Sequence, residues 1–69
     1  MSLAELLTEA GCAAYTDSLK DESLDAWLEQ MAADRPAFLK HLQALGVAKL
    51  PERQKIANTM SKAKRENRL

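Results

Sequence analysis

The chain reads as all-α, a compact bundle of five helices with a longer C-terminal helix, and three observations predict it. Apolar residues recur at three- and four-residue spacing along most of the length, with no β-branched alternation anywhere. Helix punctuation interrupts that pattern: Ser2, Ser23 and Asp34 as side-chain caps, Gly11 and Gly46 as stops, Pro36 and Pro51 as first-turn prolines. No repeat, low-complexity linker or internal domain boundary divides residues 1–69. They form one domain with one small core, burying about 60% of the unfolded surface.

Ser2-Leu3-Ala4-Glu5 is a capping box that opens the first helix, with Leu3, Leu6, Leu7 and Ala10 on its apolar face and Gly11 at its end. Cys12, Tyr15 and Leu19 then mark a second short helix through about Leu19 or Lys20. Asp21-Glu22-Ser23 is a polar break. Ser23 caps a third helix that carries Leu24, Trp27, Leu28 and Met31 inward. Asp34 caps a fourth, which accepts Pro36 in its first turn and faces Phe38, Leu39, Leu42 and Leu45 to the core.

The corner that follows organises the rest. Gly46 stands where a left-handed residue stops a helix without steric cost, and Val47 is placed to fold back on Leu42. A fifth helix starts at about Pro51, just after Leu50, and its inner face holds Ile56, Ala57, Met60 and Ala63. Beyond Ala63 the pattern dissolves, so residues 64–69 are expected to be a frayed basic tail. The expected core is Leu3, Leu6, Leu7, Tyr15, Leu19, Leu28, Leu39, Leu42, Leu45, Val47, Ile56 and Met60.

Composition narrows the function. A single cysteine forms no disulfide framework, and Cys12 reads as a small buried hydrophobe. No apolar run approaches the ~18 residues of a membrane span, and no basic-then-apolar leader opens the chain. The expectation is an intracellular protein, cytoplasmic or nuclear, or a module of a longer one. There is no Gly-rich phosphate loop, metal-ligand spacing or nucleophile–base pair, so no enzyme, cofactor, metal or small-molecule substrate is expected. His41 reads as a surface residue and Trp27 as a core or rim contact. Asp21, Glu22 and Asp25 lack the alternating oxygen ligands and turn glycine of a calcium loop, which leaves a solvated acidic face.

Charge is divided between the halves. Residues 1–34 hold eight acids and one base, a net −7, whereas residues 35–69 hold nine bases and two acids, a net +7. Such an asymmetry is a statement about partners rather than fold.

Three stretches resemble the sterile alpha motif (SAM) domain. The corner Leu45-Gly46-Val47 followed by Leu50-Pro51-Glu52-Arg53-Gln54-Lys55-Ile56 is similar to the turn and opening of that family's long last helix. Gly11 through Leu19, around Tyr15, looks like its Gly-Leu-x-x-Tyr-x-x-x-Phe element, with Leu19 where Phe is common. Glu22-Ser23-Leu24-Asp25-Ala26 is similar to its Glu-Ile-Asp-Gly segment, with Ala26 in place of Gly.

The resemblance implies a five-helix interaction module that self-associates head-to-tail, in a mode that can extend into helical polymers, or that pairs with another SAM domain. It implies a basic surface of Lys49, Leu50, Arg53 and Lys55, and an acidic surface of Asp21, Glu22, Asp25 and Glu29. The alternative is a SAM-like domain that binds RNA with the basic last helix, through Lys49, Arg53, Lys55, Lys62, Lys64, Arg65 and Arg68. The neutral total and the −7 half weigh against that alternative, because acids repel the same backbone.

Overall fold

Four of the five expected helices form. In the computed structural model, which describes Met1–Leu69, they are α1 (Leu3–Glu9), α2 (Leu24–Ala33), α3 (Arg35–Ala44) and the longer α4 (Leu50–Arg65), with no strand. Side-chain caps start three of them: the hydroxyl of Ser2 accepts from the N–H of Glu5, that of Ser23 from Ala26, and the Asp34 carboxylate from Ala37.

The second expected helix is replaced by one 3₁₀ turn, Ala13–Tyr15, followed by turns through Asp21. Cys12 precedes it with no side-chain cap bond, and Thr16, Asp17 and Ser18 favour turns over helix interiors. The turns still close locally, with Thr16 N–H bonded to Ala13 O at 3.1 Å and Leu19 N–H to Tyr15 O at 3.0 Å. Leu19 therefore reaches the core without a helix beneath it, at 1% exposure.

Three helix ends close in the same way. At the end of α3, Gly46 has φ +110°, its N–H bonds Gln43 O at 3.1 Å, and the N–H of Val47 bonds Leu42 O at 3.0 Å. This is a Schellman ending, which satisfies the last carbonyls of the helix. Gly11, at φ +74°, ends α1 with the equivalent bonds to Thr8 and Leu7.

The last residues make contacts of their own. Asn67, at φ 56°, closes α4 with bonds from Asn67 to Lys64 and from Arg68 to Ala63. Arg68 then grips Glu9 with two hydrogen bonds of 2.8 and 2.9 Å and reaches Glu66 at 2.9 Å. The Met1 ammonium donates to Arg68 O at 3.2 Å, which ties the two ends of the chain together. Such charge-assisted, forked bonds are stronger than neutral ones, and the Glu9–Arg68 pair joins the last turn to α1. The Arg68 hydrogen bonds hold the Glu9 carboxyl below its ordinary pKa.

α1 packs on α4, α2 on α3, and α3 on α4. Of the expected core, Leu6, Leu7, Leu19, Leu42, Val47, Ile56 and Met60 are fully buried. Leu3, Tyr15, Leu28, Leu39 and Leu45 are half-buried and pack around that core. Trp27 and Phe38, expected on the inward faces of their helices, fill the centre at 1% and 0% exposure, with ring centroids 5.6 Å apart in an edge-on arrangement. No helix is long and apolar enough to cross a membrane.

Candidate interaction surfaces

The corner after α3 sets the basic surface. Lys49 is the extended residue that leads into α4 and has no side-chain cap bond, while Pro51 occupies the first turn. Leu50 stands beside them with 48% of its surface exposed, in a chain whose other exposed large apolar side chain is the terminal Leu69. An apolar side chain at the positive end of a helix, next to a lysine, is suited to a partner that brings apolar and acidic groups together.

Two of the four expected basic-surface residues lie elsewhere. Arg53 turns back rather than out, and its Nη1 donates to Val47 O at 2.9 Å and to Ala48 O at 2.7 Å. Its Nε is buried without a partner, so the guanidinium belongs to the corner and braces it. Lys55 is exposed, but it lines a depression with Glu9, Ala10 and Gly11 on the flank toward α1. At 3.6 residues per turn it sits about 140° around the helix from Leu50. Of the four, Lys49 and Leu50 remain at the exposed tip.

The base of that tip is pinned from below. Glu52, in the first turn of α4, accepts the Tyr15 hydroxyl at 2.8 Å. That bond is the main cause of a raised Tyr15 pKa, with burial adding to it. Cys12 lies alongside, 1% exposed, its thiol donating to Ala10 O at 3.6 Å. Burial raises its pKa, with the Glu52 charge adding to the effect, so it lacks the depressed pKa that makes a thiolate reactive.

The acidic surface is built on the entrance to α2. Asp21 is exposed in the preceding turn, Asp25 is exposed in the first helical turn, and Glu29 is exposed one turn further along the same flank. Glu22 is drawn inward. Its Oε1 accepts from Trp27 Nε1 at 3.1 Å and lies 3.3 Å from His41 Nε2. His41 is thus half-buried and partnered with Glu22 in the segment leading into α2 rather than a free surface residue. The residues alone carried one sign of this cluster: a buried indole N–H requires an acceptor, and Glu22 stands five residues before Trp27.

The structure therefore separates two exposed charged surfaces of opposite sign. One is the Lys49–Leu50 tip, and the other is the Asp21, Asp25 and Glu29 flank. No group of three or more His, Cys, Asp or Glu side chains comes together in a way that would hold a metal ion. Compared with protein-family models, curated proteins and solved structures, the chain matches none of them.

Proposed function

We propose that this domain is a SAM-like protein-interaction module that pairs head-to-tail with a second copy of itself or with another domain of that kind. The Lys49–Leu50 tip of one molecule docks on the Asp21, Asp25 and Glu29 flank of the next. Leu50 carries this reading, because a half-exposed leucine at a charged helix start is an anchor without an intramolecular role. The −7/+7 division of the chain supports it, since unlike charge on separate surfaces steers such an encounter.

Two different surfaces meeting make a heterologous contact, which propagates unless its rotation closes a ring. Sedimentation velocity of the pure protein, free of nucleic acid, tests this. Mass should rise with concentration, and association should weaken but not vanish as salt rises, because screening removes the steering and leaves the Leu50 contact. A monomer at every concentration contradicts self-pairing.

A further inference from the structure

The opposite half of α4 carries a second surface, unrelated to the first. Between it and α2 lies a shallow depression of about 540 Å³, lined by Leu28, Met31 and Ala32 from α2 and by Ser61, Lys64 and Arg65 from α4. We propose that this depression docks an acidic amphipathic peptide segment of a partner protein. Apolar side chains of the segment would rest on Leu28 and Met31, and its carboxylates would meet Lys64 and Arg65.

Charge complementarity selects that occupant. The α2 residues that line the depression are uncharged, with the exposed Glu29 beside them on the flank away from α4, and Leu28 and Met31 are only half-buried, so each presents apolar surface that the fold does not cover. Met31, flexible and polarisable, adapts to varied apolar partners. Across from them Lys64 and Arg65 are exposed, and the ion pairs of the chain, Glu22–His41, Glu9–Arg68 and Glu66–Arg68, include neither. The adjacent carboxylate, Glu66, is already held by Arg68. An apolar wall facing two uncompensated cations fits an apolar stripe beside an acidic one, as in helix-in-groove recognition.

Other occupants fit less well. Nucleic acid would be expected to use an exposed aromatic for stacking, but Trp27 is 1% exposed and Tyr15 is held by Glu52. A membrane surface inserts a convex apolar face, whereas this one is concave and interrupted by Ser61. Leu50 lies 11 residues from Ser61, about 16 Å along the helix, so the depression is separate from the Lys49–Leu50 tip.

The test uses two peptides of about 14 residues, some four helical turns, equal in composition. One carries Leu and Phe at i, i+3 and i+7 with Asp and Glu between; the other is its scramble. Both are titrated into dilute ¹⁵N-labelled full chain, and amide shifts are recorded. The amphipathic peptide should move Leu28, Met31, Ala32, Ser61 and Lys64, and Leu50→Glu should leave its affinity unchanged. Ala32→Glu, at an exposed helical site, and the pair Lys64→Glu with Arg65→Glu should each weaken binding by about tenfold or more while the folded spectrum persists. Equal binding by the scramble, shifts centred on Lys49 and Leu50, no shifts at all, or a single-stranded RNA oligonucleotide moving these amides where the peptide does not, would each overturn the proposal.

Discussion

Replacing Trp27 by alanine should cost about 3–5 kcal/mol of folding stability, most of what a 69-residue domain has. Trp27 is the largest fully buried side chain and touches the core edge-on at Phe38. Its loss opens a cavity between α2 and α3 that a small, close-packed interior cannot fill by relaxation. It also removes the indole N–H that Glu22 accepts, which unties the turn leading into α2. Urea unfolding followed by far-ultraviolet circular dichroism measures the loss without relying on indole fluorescence. Trp27→Phe, which keeps ring packing, should lose less. A Trp27→Ala protein with the parent's midpoint would mean that the core is not centred on this residue.

Gly46→Val is the second. At φ +110° the backbone lies where residues with a Cβ rarely go, and a β-branched residue fits worst of all. Nothing lies within 4 Å of a Cβ built at this position, so the cost is backbone strain rather than collision. About 1–3 kcal/mol is expected, together with loosening of the corner that Arg53 braces. Thermal melting of Gly46→Val and Gly46→Ala should rank valine as the more harmful, and a valine variant that melts like the parent would contradict the corner's geometry. Because the corner aims Leu50, the valine variant should also pair less well than the parent.

These two positions show what could be read from the residues and what could not. Gly46, Val47 and the caps at Ser2, Ser23 and Asp34 were legible, because each is a local bond with a local signature. The missing second helix was not. Cys12, Tyr15 and Leu19 have helical spacing, but burial needs only that those side chains point inward, and a chain of turns achieves this too. The Glu9–Arg68 pair escaped for a different reason: it joins residues 59 apart, which no periodicity encodes.

The candidate site divides in the same way. Lys49, Asp21, Asp25 and Glu29 are exposed as single-residue polarity suggests, whereas Arg53 is turned back by nearby carbonyls of its own corner and Glu22 is drawn in by Trp27 and His41. The turn that Arg53 makes follows from the carbonyls of Val47 and Ala48, left without helical partners by the corner itself. A charged residue's direction is set by such unsatisfied groups, and these exist only once the chain has folded.

The proposed contact between tip and flank is tested most directly by mixing two variants, each lacking one face. Leu50→Glu removes the anchor and cancels the Lys49 charge at the tip, at an exposed position where an acidic residue suits the helix start. Asp25→Lys reverses the centre of the acidic flank, also at an exposed site. Each variant alone should sediment as a monomer at concentrations where the parent associates. Their equimolar mixture should sediment as a dimer and no larger, because every molecule keeps one intact face and only the unlike pair can use both. A mixture that stays monomeric while the parent associates would contradict pairing through these faces.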